Sequence, residues 1–218
     1  MILLFTGFFL IPLTTVSITS HSIGRPPACG RCAMHRIIIP FAHNGDDIMD
    51  LKSSIRTVED WPKKGISFKD ITTLLKDPEL LKESIKLMAA PFKKDKVDLV
   101  VGPESRGFIF GVPVAIALGA GFVPVRKKGK LPAKTVSVTY DLEYGSDTLE
   151  MHEDAIKKGQ RVLIVDDLLA TGGTISAVTK MCEQLGADIV GLSFMIELEF
   201  LNGKDKLKGR KISSIVKY

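Results

Sequence analysis

Residues 162–174 read Val162-Leu163-Ile164-Val165-Asp166-Asp167-Leu168-Leu169-Ala170-Thr171-Gly172-Gly173-Thr174. From Arg161 to Val165 the run is continuous and β-branched, the mark of a strand buried on both faces. Two carboxylates follow, then a loop of small residues. Ile175, Val178, Cys182 and Leu185 then form the apolar stripe of a helix that stops at Gly186. Gly172 and Gly173 permit positive φ and close backbone approach. A loop that opens a helix presents free N–H groups and the positive end of a dipole, and Thr171 and Thr174 add hydroxyls. A phosphate is the natural guest. Asp166 and Asp167 would repel it unless they accept hydrogen bonds from sugar hydroxyls or share a magnesium ion with the ligand. A polar-capped helix start is the plainer alternative, and it explains one Asp and one Thr but not the whole run.

Outward from this stretch the same alternation continues. Asp77-Pro78 reads as a helix start, followed by Leu81, Ile85, Met88 and Phe92 at helical spacing to about Lys93. Strands are expected at 97–101, 122–126, 189–196 and 212–216, and a helix at 108–118 that contains Pro113. Residues 135–140 and 148–152 alternate as a strand ribbon. This order predicts an α/β fold with a mainly parallel central sheet flanked by helices on both faces.

At 218 residues the chain suits one domain with an appendage. Hydrophobic residues at 45% and charged residues at 25% exclude collagen-like, coiled-coil and wholly disordered classes. A net charge of +5 fits an anionic partner no better than it fits a solvated surface. Three cysteines, Cys29, Cys32 and Cys182, make no disulfide framework. Neither a Walker loop nor a Gly-x-Gly-x-x-Gly fingerprint occurs, so ATPase and dehydrogenase readings lose their usual support.

Composition breaks near Asp46, and residues 1–48 are expected to lie outside the fold that spans 49–218. No Asp, Glu, Lys or Arg occurs from Met1 to Gly24. A signal peptide lacks its basic n-region here. A membrane anchor is weakened by Pro12 and several Thr and Ser. A third reading starts translation at Met49 and makes the segment upstream sequence. Cys29 and Cys32 with His35 and His43 are spaced poorly for zinc and read as chance.

The run from Val162 to Thr174 resembles the phosphoribosyl-pyrophosphate (PRPP) motif of type I phosphoribosyltransferases. Four further stretches extend the likeness to the adenine phosphoribosyltransferases: Gly65 to Ile71, Gly102 to Phe108, Arg126 to Pro132, and Leu142 to Gly145. The resemblance covers about 49–218 and implies the family's fold, with a small hood and a flexible flap loop. It implies a transferase of purine salvage that converts adenine and PRPP to AMP and pyrophosphate. Magnesium is the implied cofactor, carried by PRPP near Asp166 and Asp167, with no protein ligand assigned outright. A cytoplasmic homodimer is expected, with no nucleic-acid partner, and no membrane unless residues 1–48 form an anchor.

By the same resemblance Ala170, Thr171, Gly172, Gly173 and Thr174 hold the 5′-phosphate, and Asp166 and Asp167 face the ribose. Arg106, Arg126, Lys130 and Tyr144 are PRPP contacts, and a cis peptide is expected at Glu104–Ser105. Phe68 stacks on adenine opposite Leu168, while main-chain groups near Ser67 and Lys69 read the base edge. The family often has Arg at the Lys69 position, which matters only if the side chain touches ligand. Glu143 is the acid–base candidate, on the flap with Tyr140 and Tyr144. Two alternatives stay open: a transferase of 6-oxopurines, and a PRPP-sensing regulator. The second needs a basic recognition helix that residues 1–48 lack.

Overall fold

The computed structural model describes residues 50–141 and 146–218. In chain order the elements are β1 (Arg56–Val58), β2 (Phe68–Asp70), α1 (Thr72–Leu75), α2 (Pro78–Ala89), β3 (Leu99–Pro103), α3 (Arg106–Leu118) and β4 (Gly121–Lys127). They continue as β5 (Thr135–Asp141), β6 (Ser146–His152), β7 (Arg161–Leu169), α4 (Gly173–Gln184), β8 (Asp188–Glu197) and β9 (Ile212–Lys217). Among the described residues the main sheet has seven strands in the order β5-β6-β4-β3-β7-β8-β9. Strands β4, β3, β7, β8 and β9 are parallel, and the β5–β6 hairpin joins antiparallel at the β4 edge.

This order places the ligand crevice. The chain leaves β3 toward β4 on one side and leaves β7 toward β8 on the other, with β3 and β7 adjacent. Open α/β sheets bind ligands at such a switch point, outside the carboxyl ends of the strands. Both strands end there and feed helices, α3 and α4.

The core forms two layers because β7 is apolar on both faces. Leu163 and Val165 pack with Met88, Phe92, Phe110 and Val114 in one layer. Val162 and Ile164 pack with Ile175, Val178, Met181 and Phe194 in the other. Each large side chain buried in this way contributes about 1.5–3 kcal/mol. Asp77 caps α2 as its sequence predicts: its Oδ1 accepts from the N–H groups of Glu79 and Leu80 at 3.0 and 3.1 Å. Such a cap is worth about 1 kcal/mol.

Several boundaries differ from the sequence expectation: β3 runs over 99–103 rather than 97–101, and α2 ends at Ala89 rather than near Lys93. β7 runs on to Leu169, because Leu168 and Leu169 keep pairing with Ile196 and Glu197 of β8. α3 begins at Arg106, two residues before the apolar run that marks it in the sequence. No strand is expected from sequence at 56–58 or 68–70, yet β1 and β2 pair antiparallel there through Val58↔Phe68 and Arg56↔Asp70. Strands of three residues leave almost no periodicity to read. The Thr72 N–H, then the Arg56 guanidinium, hold the Asp70 carboxyl down to about 2.

Cys182 lies buried in the α4 layer, and burial pushes its thiol up to about 12. In a protein starting at Met49 it is the sole cysteine. Iodoacetamide at about pH 8.5 is expected to leave the native protein unlabelled and to add one carbamidomethyl group after denaturation, read by intact mass.

Candidate active site

At the end of β7 the two carboxylates lie inside the protein, Asp166 at 9% and Asp167 at 5% exposure. Asp166 Oδ1 accepts the Asp167 N–H at 2.9 Å. Asp167 Oδ2 takes Arg106 Nε at 2.7 Å. Burial, then the charge of Asp167, pushes the Asp166 carboxyl well above the carboxylate range. Burial also raises Asp167, against the pull of Arg106. Gly107 leaves the room that Asp166 occupies, since a Cβ there would stand 2.8 Å from Asp166 Oδ1.

The loop after β7 turns through Gly172, whose φ is +75°, and α4 starts at Gly173. The first N–H groups of α4 have no intrahelical partner and point out of the helix start. Opposite, β3 ends in a cis Glu104–Ser105 peptide, as expected. Glu104 accepts from Arg126 Nε at 2.8 Å and from the Lys127 N–H at 2.6 Å. Burial raises the Glu104 carboxyl, but these donors outweigh it and hold the group below its ordinary value. Between the walls lies a cavity of about 540 Å³, lined by Glu104, Ser105, Arg106, Lys127 and the run from Asp166 to Ile175.

The structure therefore brings together Arg106, Asp166, Asp167, Leu168 and Ala170 to Thr174 around one space. Arg126 and Lys130 are not in that lining. Arg126 is held by Glu104, and Lys130 is exposed; Lys127, to which the sequence reading gave no role, lines the cavity while its Nζ pairs with Asp147 at 3.0 Å. Phe68 stands beside the site, its ring 5.4 Å from the Arg106 guanidinium and edge-on to Trp61 at 4.5 Å. Strand alternation turns Lys69 the other way. Its Nζ donates to Thr57 Oγ1 at 3.0 Å and lies 4.4 Å from the Tyr218 ring centre. Ser67 Oγ donates to Glu59 at 3.1 Å. Glu143 and Tyr144 lie outside the described residues. The β5–β6 hairpin that flanks them reaches the start of α4, where Thr174 Oγ1 donates to the Tyr140 hydroxyl at 3.3 Å.

The comparisons with known proteins agree with this geometry. A phosphoribosyl transferase domain model matches residues 70–213. The adenine phosphoribosyltransferase of Clostridium perfringens is 65% identical over 170 residues, which cover 78% of this chain and 99% of that protein. The chain belongs to the phosphoribosyltransferase family. Among solved phosphoribosyltransferases, the adenine enzyme of Thermoanaerobacter pseudethanolicus superposes with a TM-score of 0.75 at 55% identity, over 77% of this chain and 98% of that one. The Saccharomyces cerevisiae enzyme, complexed with an imino-altritol bisphosphate and adenine, gives 0.72 at 41% identity, over 76% and 96%.

Sequence reasoning missed two contributors to this phosphoribosyltransferase site. Glu104 organises the wall of Arg126 and Lys127; it was visible only as the neighbour of the cis peptide. Gly203 lies behind the loop of residues 170–172, and a Cβ on it would come within 2.1 Å of the Ala170 carbonyl oxygen. Nothing local in Asn202-Gly203-Lys204 announces a contact with residue 170.

The Arg106–Asp167 pair gives a pH-dependent prediction. Burial makes Asp167 hold its proton more tightly folded than unfolded, so its contribution favours the fold at low pH and is lost as pH rises through the folded pKa. Arg106 opposes this, and without it the carboxylate is buried unpaired. Arg106→Met is expected to lower Tm, with the gap to wild type widening as pH rises above the ordinary carboxylate range in thermal melts. A gap independent of pH would mean that Arg106 contributes packing alone.

Proposed function

We propose that the chain is an adenine phosphoribosyltransferase of purine salvage, joining adenine N9 to C1 of PRPP to give AMP and pyrophosphate. The observation that carries this reading is one strand end that holds a buried acid pair next to a left-handed glycine loop at a helix start. The bond from C1 to the pyrophosphate oxygen breaks, the bond from C1 to N9 forms, and the N9 proton leaves. The ribose passes through a cationic, oxocarbenium-like state, so catalysis consists of steadying charge and holding the base in line.

In this reading the N–H groups and hydroxyls of Ala170 to Thr174 receive the 5′-phosphate. Asp166 and Asp167 accept from the ribose hydroxyls. Arg106 and Lys127 face the departing pyrophosphate from the opposite wall, with Arg126 and Lys130 behind them. Phe68 and Leu168 bracket adenine, and backbone groups near Ser67 and Lys69 read its edge. The turned-away Lys69 side chain supports reading by backbone rather than by side chain. The adenine bound in the yeast enzyme agrees with that base.

Among the described residues no group of three or more His, Cys, Asp or Glu converges to hold a metal. Two carboxylates beside an anion loop suit a hard cation that takes its remaining oxygens from the ligand and from water. Asp166 and Asp167 would hold magnesium together with PRPP, and the ion would supply screening for the charge of the departing pyrophosphate.

Residues 49–218 form the catalytic unit, which the near-complete alignment of the Clostridium relative supports. A homodimer is supported by an apolar face on α3. Ile109, Val112 and Ile116 recur along one side of that helix and are exposed, Ile116 at 75%. Among the described residues no helix is long and apolar enough to cross a membrane. A cytoplasmic location rests on the substrates, which are intracellular metabolites.

Purified protein given PRPP and magnesium is expected to consume pyrophosphate's donor with adenine and to leave hypoxanthine, guanine and xanthine nearly unused. Turnover of a 6-oxopurine at a comparable rate would redirect the assignment. Glu143, if it acts on the purine, contributes mainly in the transition state. Glu143→Gln is then expected to lower kcat and kcat/KM together by on the order of 10²-fold, with little change in the PRPP KM. An unchanged single-turnover rate would remove Glu143 from the catalytic list.

A further inference from the structure

The phosphate loop does not stand on its own strand alone. A Cβ on Gly172 would lie 2.5 Å from the Gly203 carbonyl oxygen, and one on Gly203 would lie 2.1 Å from the Ala170 carbonyl oxygen and 3.1 Å from the Gly172 nitrogen. Two backbone segments thus press against each other with no side chain between them. The rear of the loop is the backbone of residue 203.

What holds Gly203 there is an ion pair outside the cavity. Glu197 closes β8 opposite Leu169, the residue that precedes the loop. It is only 4% exposed, and its Oε1 takes Lys204 Nζ at 2.7 Å. Its Oε2 is buried with no hydrogen-bond partner, so Lys204 is the bonded partner of a desolvated carboxylate. The Leu198 N–H donates to the Leu169 carbonyl at 3.0 Å, and Leu207 anchors the following turn in the core. The contacts close a ring: Leu169 pairs with Glu197, Glu197 binds Lys204, and Gly203 abuts Ala170 and Gly172. Removing Lys204 leaves a buried charge unpaired, and the turn must shift to admit water. The backbone that shifts is the one supporting the loop.

We propose that Glu197 and Lys204 are positioning residues for PRPP, locking Gly203 against the back of the loop so that its N–H groups stay aimed at the 5′-phosphate. This rests on the assignment of Ala170 to Thr174 as the phosphate site. Neither residue lines the cavity, so neither is a contact for ligand.

The test measures KM for PRPP and for adenine, kcat, and Tm in Lys204→Met, Lys204→Arg and Thr171→Val. Lys204→Met is expected to raise the PRPP KM about tenfold while the adenine KM stays within about twofold. Lys204→Arg, which keeps the charge beside Glu197, is expected to restore most of the loss. If Lys204→Met gives no soluble protein, Lys204→Gln supplies the same readout with a donor retained. An unchanged PRPP KM in the Lys204 variant, or a parallel rise in both KM values, overturns the proposal. Thr171→Val separates this from the phosphate assignment. If it raises the PRPP KM while the Lys204 variant does not, the positioning role alone fails. If it has no effect, the phosphate assignment falls and takes the proposal with it.

Discussion

The site depends on β7 being buried on both faces and yet ending in charge. Val162 to Val165 leave no polar exit from either core layer, so Asp166 and Asp167 sit where the strand first reaches the crevice. Two adjacent buried carboxylates are unfavourable by desolvation and by mutual repulsion. Arg106 and the Asp167 N–H offset part of that cost. The remainder is an electrostatic demand that a hydrogen-bond donor or a hard cation would meet.

Around that pair, charge is sorted by wall. The β7 side supplies carboxylates and a helix N-terminus, and the β3–β4 side supplies Arg106, Arg126 and Lys127. Glu104 sets the second wall in place by binding Arg126 and the Lys127 backbone together. A sugar whose anionic groups leave in opposite directions, the 5′-phosphate toward α4 and the pyrophosphate toward β4, fits such a division. In the proposed reaction positive charge would develop midway between, beside the acid pair.

The glycines show how tightly the frame constrains the chemistry. Gly107 makes room for Asp166, and Gly203 brings a distant turn against the phosphate loop. In both cases the missing side chain permits backbone proximity, and the geometry of the site is inherited from packing behind it. The hood follows the same logic at smaller scale: Phe68 faces Arg106 because strand alternation sends Lys69 toward Tyr218.

Much of this protein was legible in the chain. Local periodicity determined β7, α2, α4 and the β5–β6 ribbon, because each has enough residues to display its period. The Val162–Thr174 run determined a buried strand, an acid pair and a glycine turn at a helix start, because each of these is written in adjacent residues. Tertiary structure alone decided the rest. The β1–β2 hairpin is too short to show a pattern. That Lys127 lines the cavity depends on Glu104, which sits across from it after β3 and accepts its N–H. The support of Gly203 behind residue 170 joins positions far apart in sequence, and no local signal encodes a contact between two backbones that only the folded sheet brings together.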